Sequence, residues 1–381
     1  MTATNCKPRV IFCVTNCICF DQRVLKMAAV AENLGTEVTI VGRRKGNCCS
    51  GQPSTFRTKR FRLIFNKGFL FYASINLRLL FYLLSRKADL IVSNDLDTLL
   101  PCYIASKLKR VQIVYDSHEY FTGLPELNGR KFVKGFWTLI ERAIVPRLEN
   151  CITVSDPIAD IFLKAYNRKF TVLRNCSVSA KGIVPVERES LGAGGDKLLL
   201  VIQGSGINID KGAEELVEAM KGLSNAVLII IGSGDVIEDL KIIVKKAMIG
   251  DRVRFLPLMP WAEMMRYTKA ADAGFCLEKD TNINYRFSLP NKLFDYISAG
   301  IPVIAGNLPL ISSVLAEHSC GIIIPEITPG EIIKAVELLD RNRDLLAVLR
   351  KNSEGASVEL NWDNESVKVK ELYLNLLAQI G

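Results

Sequence analysis

Two runs in the second half of the chain, KLLLVIQG and AVLIIIGSG, restrict the fold more than any other feature of the sequence. Each is apolar at consecutive positions, rich in branched residues, and closed by glycine. A strand with one wet face alternates polar and apolar residues. A strand that is apolar throughout is buried on both faces, as in a parallel sheet covered by helices. RVIFCVTN, ADLIVSND and VQIVYDS repeat the pattern in the first half. Helical segments fall between the strands, near 21–34, 71–85, 97–108 and 132–148, then near 213–223, 236–248 and 261–270, with RFRLIF, CITVS and FTVLRN as further strands. The order strand, helix, strand, helix thus runs through the chain twice. That predicts an α/β protein of two doubly wound domains facing a cleft. The Gly-, Pro- and charge-mixed stretch SVSAKGIVPVERESLGAGGD marks the linker, with the boundary placed at 182/183.

With 381 residues, 49% of them apolar, the chain can fill two cores. The opening MTATNCKPRV lacks the apolar run of a leader peptide, and Phe69–Leu84 is short for a bilayer span and interrupted by Asn76 and Arg78. Eleven cysteines, several in strand-like runs (Cys13, Cys151, Cys276), fit buried reduced thiols and a cytoplasmic location. Cys17 with Cys19, or Cys48 with Cys49, would be the closest redox or metal pairs, but their spacing matches no zinc pattern and the chain has only two histidines. The net charge of +9 is split into +14 over residues 1–175 and −5 over 176–381. No acidic residue occurs between Glu37 and Asp89, where eleven Lys and Arg are interleaved with Phe and Tyr. Such a stretch either faces an anionic partner or belongs to a basic domain whose aromatic residues are core. No nucleic-acid-binding motif accompanies it.

The segment YRFSLPNKLFDYISAGIPVIA reads as a short, sharply bounded helix before a strand. Pro290 suits the first turn, Ser288 can cap it, and Gly300 ends it in a left-handed conformation. The helix start then offers free N–H groups, and Lys292 adds a full charge, an arrangement that attracts phosphate. Asp295, one turn on, can accept from sugar hydroxyls. The plainer alternative is a surface helix with Lys292 and Asp295 paired at i,i+3. Gly204-Ser205-Gly206 and Gly232-Ser233-Gly234 each follow a strand, and Gly306 ends another, but none completes GxGxxG, so a dinucleotide site is poorly supported. Gly232 and Gly234 read as a tight turn. Lys211-Gly212 opens a helix, so Lys211 and Lys292 would meet one diphosphate from two helix starts. In VYDSHEYF a buried strand ends at Asp116, His118 and Glu119. His118 either binds hydroxyl or phosphate and stabilises developing charge, or simply fixes a turn; His318 reads as structural.

PNKLFDYISAGIPVIA resembles the donor-binding signature of the retaining glycosyltransferases of family 4, which have the GT-B fold of two Rossmann-like domains. FDQRVLKMAAVAENLGTEVTIVG, SNDLDTLLPCYIASKLKRVQIVYDSHEYF, CITVSDPIAD, QGSGINIDKG and IIGSGD are similar to further segments of the family. NWDNESVKVKELYLNLL looks like its C-terminal helix returning to the first domain, which sets the domains at 1–182 with about 362–381, and 183–361. The resemblance implies a nucleotide-diphosphate sugar on the second domain, near Gly204, Ser205, Gly206, Lys211, Gly212, Asn291, Lys292 and Leu293. Asp295 falls on the acid that holds the ribose. The glutamate that holds the donor sugar falls on Phe287, which leaves that contact to Glu278, Asn284 or Arg286. A basic residue often precedes the family's lysine in the 204–212 turn, and here none does. His118 matches the acceptor-domain histidine near the transferred sugar, with Asp21, Arg23, Asp116 and Glu119 on the acceptor side. The implied chemistry uses no cofactor and no metal: Lys211, Lys292 and helix N–H groups stabilise the leaving diphosphate. No carboxylate pair of the hydrolase kind is recognisable. Acceptors in the family are often glycans or lipid-linked glycans of surface polysaccharide and glycoconjugate synthesis, so the basic first domain would rest peripherally on the inner face of an anionic membrane. The competing expectations are a non-catalytic nucleotide-sugar or glycan-binding module, and a sugar-nucleotide epimerase on the same fold.

Overall fold

The computed structural model of the chain describes residues 7–18, 21–44 and 56–379. They form two compact units, one running to Arg174 and resuming at Glu365, the other Asn175–Asn364.

The first unit is built from β1 (Arg9–Cys13), α1 (Gln22–Asn33), β2 (Glu37–Arg43), β3 (Arg57–Phe61), α2 (Gly68–Ser85), β4 (Leu90–Asn94), α3 (Leu96–Lys109), β5 (Gln112–Ser117), α4 (Lys131–Ile144), β6 (Asn150–Thr153), α5 (Asp156–Tyr166) and β7 (Thr171–Val172). The strands make one sheet of order β3-β2-β1-β4-β5-β6-β7, parallel at every pairing. The apolar runs of β1 and β4 are buried along their length, as a sheet covered on both faces requires. The edge strand β3 is RTKRF, earlier than the expected RFRLIF; it is basic and half-exposed because it has a neighbour on one side only.

The second unit contains β8 (Leu198–Gly204), α6 (Ala213–Ala219), β9 (Ala226–Gly232), α7 (Ile237–Lys246), β10 (Val253–Leu256), α8 (Trp261–Ala270), β11 (Ala273–Cys276), α9 (Ile283–Arg286), α10 (Asn291–Ala299), β12 (Val303–Gly306), α11 (Pro309–His318), β13 (Gly321–Ile324), α12 (Pro329–Arg341) and α13 (Arg343–Glu359). Its sheet, β10-β9-β8-β11-β12-β13, is again wholly parallel. The turns after β8 and β9 touch: Ser233 N–H donates to Gly204 O at 3.1 Å and Ile207 N–H to Ser233 O at 3.0 Å. A Cβ at Gly232 would lie 1.8 Å from the Gly204 carbonyl oxygen, so that glycine serves backbone packing.

The last helix, α14 (Trp362–Ala378), is shared in sequence between the units, and its later part packs on the first. Tyr373 meets Phe12 of β1 edge-on at 6.4 Å, and the buried Glu365 binds Arg174 at 2.7 Å. The cysteines expected in strands, Cys13, Cys151 and Cys276, are buried thiols. Cys17, however, is disulfide-bonded, which departs from the expectation of reduced thiols throughout. Cys19, Cys48 and Cys49 lie outside the described residues.

Candidate functional site

In both sheets the strand order reverses beside the first strand, and the carboxyl ends there are the natural ligand position. In the first unit, Arg23 of α1 is 2% exposed and lays its guanidinium on the fully buried Asp116 of β5, with Nε 2.9 Å from Oδ2 and Nη2 2.7 Å from Oδ1. Its Nη1 donates to Leu173 O at 2.8 Å. Asp21 sets the start of α1 by accepting from Val24 N–H at 3.2 Å. His118, just past β5, stands between two carboxylates: Nδ1 is 3.3 Å from Asp95 Oδ2 and Nε2 is 3.4 Å from Asp116 Oδ2. Burial works against the charged ring, but Asp95 and then Asp116 outweigh it and raise its pKa to about 10. At neutral pH His118 is therefore a cation, suited to donate and to stabilise negative charge rather than to act as a base. Burial acts against the charge of Asp116 too, yet Arg23 and His118 hold its carboxyl well below the usual range. The backbone carbonyl of Glu119 accepts from Ser117 Oγ at 2.8 Å.

Two carboxylates in this cluster, Asp95 and Asp97, were not singled out from the sequence. Burial and then Asp95 push the Asp97 carboxyl up to about 7, and Thr15 Oγ1 donates to it at 2.5 Å. Their signal was SNDLD directly after a buried strand, two acids where a sheet of this kind places ligands.

In the second unit, α10 begins after Pro290, with no side-chain cap, and Gly300 closes it at φ 71°. Ser288 does not cap it; its hydroxyl donates to Tyr285 O at 3.0 Å, because Pro290 holds the chain extended before the helix. Lys292 does not pair with Asp295. Its Nζ lies 2.8 Å from Oε1 of Glu278, and the two side chains are 10% and 2% exposed. Asp295 is buried and accepts from Ser177 Oγ at 2.5 Å, Trp261 Nε1 at 2.8 Å and Gln203 Nε2 at 3.1 Å. Lys211 Nζ sits over the Tyr285 ring, 5.2 Å from its centre. The buried Cys276 thiol reports on this neighbourhood. Burial and then Glu278 push it well up, with Asp295 acting the same way, while Lys292 and Lys211 act in the opposite sense. Cys276, Glu278, Lys292, Asp295 and Lys211 therefore share one electrostatic environment at the end of β11. Gly204 ends β8, the strand paired with β11, and Ser205 and Gly206 follow it; Gly212 precedes α6, and Leu293 is core. Asn291 Oδ1 accepts from Asn175 at 2.6 Å. Asn284 is buried in α9, whereas Arg286 pairs with Asp280 at 2.6 Å on the surface. Phe287 closes α9.

Two doubly wound parallel units, the second with Lys211 and Lys292 near the strand ends where its order reverses, are the architecture of a GT-B glycosyltransferase. The sequence agrees: the model described as Glycosyl transferases group 1 matches residues 185–355, and that described as Glycosyltransferase Family 4 matches residues 22–176. The chain belongs to this family, a retaining one, and is a nucleotide-sugar-dependent glycosyltransferase. No curated protein matches the sequence. Among solved structures it is similar to sucrose-phosphate synthase from Thermosynechococcus elongatus, with 17% identity, a TM-score of 0.77, and coverage of 98% of this chain and 100% of that one. HepE of Anabaena in complex with UDP-glucose matches with 15% identity and TM-score 0.74 over 96% and 99% of the two chains. WaaG, a glycosyltransferase involved in lipopolysaccharide biosynthesis, matches with 16% identity and TM-score 0.71 over 94% and 99%.

Proposed function

We propose that the protein transfers a hexose, with retention and without a metal, from a nucleotide-diphosphate sugar to a glycan or lipid-linked acceptor at the cytoplasmic face of an anionic membrane. The observation that carries the donor half is the position of Lys292: in the first turn of α10, largely buried, held by Glu278 beside a helix start that no side chain caps. A diphosphate there meets an ammonium group and helix N–H groups already oriented, and these gain strength as the leaving group gains charge. Lys211 adds the second cation. Glu278, buried with both carboxylate oxygens lacking a well-aligned hydrogen bond, is our choice for the donor-sugar contact that Phe287 cannot make. His118 serves the acceptor side as a cation.

A thermal-shift panel tests the donor half, with UDP and UDP-glucose first, followed by the other nucleoside diphosphates and their sugars. Saturating ligand should raise the melting temperature by about 5 °C. No shift with any of them overturns the assignment.

The acceptor half rests on the surface of the first unit. Helix α2 runs past the segment expected to be short for a span and has the length and apolarity to cross a membrane (18 residues, mean hydropathy 1.4), yet it buries Phe71, Ile75, Leu79 and Leu83 and binds Asp97 O through Asn76 at 2.9 Å. Its other side exposes Phe69, Leu70, Leu77 and Phe81, and α4 exposes Phe132, Phe136 and Leu139. Phe69 and Phe136 meet at 6.5 Å, which joins the two stripes, and Lys67, Arg78, Lys131 and Lys134 flank them. An apolar face ringed by cations lies in the headgroup region of an anionic bilayer. Vesicles containing phosphatidylglycerol should sediment the protein and phosphatidylcholine vesicles should not. The Phe69→Ser/Phe132→Ser variant should bind at least about tenfold more weakly. Equal binding to both lipids removes the anionic surface from the proposal, and binding to neither removes the membrane.

A further inference from the structure

We infer that Asp95 is a positioning residue for transfer, a side chain held in a left-handed backbone so that its carboxylate fixes the His118 ring and keeps both ring nitrogens protonated. Asp95 sits at φ 60° and ψ 166°, immediately before α3. Arg110, Asn167 and Ser319 also take positive φ, but with ψ of 43°, 41° and 41°, as ordinary left-handed helix ends. Asp95 opens a helix instead, in a region that favours glycine, and strain of this kind persists only where the surroundings impose it. An aspartate at a helix start normally caps the helix; this one makes no such bond. Its Oδ1 accepts from the His118 backbone N–H at 2.8 Å, and its Oδ2 faces His118 Nδ1 at 3.3 Å. The Asp95 N–H donates to Asp116 O at 2.9 Å, so one residue ties the end of β4 to the strand, the backbone and the ring of the histidine segment.

With Asp116 Oδ2 3.4 Å from Nε2, a carboxylate oxygen lies near each ring nitrogen; Nε2 makes no well-aligned hydrogen bond, but two flanking carboxylates favour a ring protonated at both nitrogens. The charged groups around the ring are Asp21 and Arg23 from α1, Asp95 and Asp97 from the β4–α3 corner, and Asp116 from β5. Arg23 is already paired with Asp116, whereas Asp95 meets His118 twice, at its backbone N–H and at its ring. The consequence for turnover rests on the proposed transfer reaction; the hold on the ring does not.

The chain has two histidines, so imidazole nitrogen NMR of the full protein resolves His118 against His318. In the wild type, both His118 nitrogens should remain N–H from pH 6 to pH 9. Asp95→Asn keeps the shape and removes the charge; Asp95→Gly suits the backbone and removes the side chain. In both variants the His118 midpoint should fall by at least about one pH unit, with Asp95→Gly melting no lower than Asp95→Asn. With a donor that supports transfer, both should lose about tenfold or more in kcat while calorimetric UDP affinity is unchanged. An unmoved His118 midpoint overturns the inference, as does Asp95→Gly with wild-type kcat, since that variant retains everything a purely backbone role would need. If no donor supports transfer in the wild type, the proposed reaction fails and the titration still decides the hold on the ring.

Discussion

Lys292→Ala should lower the stability of the second unit by about 3–5 kcal/mol and abolish measurable binding of nucleoside diphosphate. The two losses have different origins. Glu278 is 2% exposed, and Lys292 is the cation that compensates it, at 2.8 Å. Removing the ammonium group leaves a carboxylate in a site where an isolated charge is strongly unfavourable. The affinity loss comes from the missing phosphate contact, worth about 2–4 kcal/mol if the phosphate is desolvated there. A second variant separates them. In Glu278→Gln/Lys292→Met no buried charge remains, so most of the stability should return while diphosphate binding does not. Urea unfolding, read by hydrogen exchange in peptides of β11 and α10, measures the first quantity, and calorimetry with UDP the second. A stability loss below about 1 kcal/mol in Lys292→Ala would mean the pair is solvated in solution. Restored UDP binding in the double variant would remove Lys292 from the diphosphate site.

The pair also shows what could be read in advance and what could not. The doubly wound topology was legible because β8, β9, β1 and β4 are apolar at nearly every position, a pattern that only a covered parallel sheet satisfies. The boundaries of α10 were legible because Pro290 and Gly300 act through their own backbone. Side-chain partners were not. Lys292 has Asp295 at helical spacing, yet it turns to Glu278 across the end of β11, because a buried glutamate needs a cation and the sequence carries no mark of burial at that position. Asp295 instead becomes the acceptor for Ser177, Trp261 and Gln203, which come from three separate segments. Asp95 escaped notice for a related reason: its role depends on a positive φ that favours glycine, and an aspartate after a strand reads as a helix cap. The basic aromatic window left open whether its rings face outward or fill the core, and both occur, with Phe69 and Phe81 exposed and Phe61 and Phe71 buried; nothing in it pointed to α4, whose Phe132 lies outside that window and is 96% exposed.

In the first unit the corresponding test is Arg23. Arg23→Ala should destabilise the unit by about 3–5 kcal/mol, because among the described residues the fully buried Asp116 then keeps only His118 as a counter-charge. Arg23→Lys should recover little of this. A lysine keeps the charge but cannot place two parallel N–H groups on Asp116 while a third reaches Leu173 O, as the guanidinium does with Nε, Nη2 and Nη1. The same loss has a functional consequence. Asp116 faces both Arg23 and His118, so freeing it from Arg23 pulls the imidazolium toward a single strong partner and moves it from the position that Asp95 helps to define. Arg23→Lys should therefore lower kcat by at least about tenfold while UDP affinity, which the proposed function assigns to the second unit, stays the same. Urea unfolding read by hydrogen exchange at β5, together with kinetics on the best donor, measures both. If Arg23→Lys keeps wild-type stability, the bidentate geometry contributes nothing and charge alone holds Asp116; if it keeps wild-type turnover, the position of His118 does not depend on Arg23.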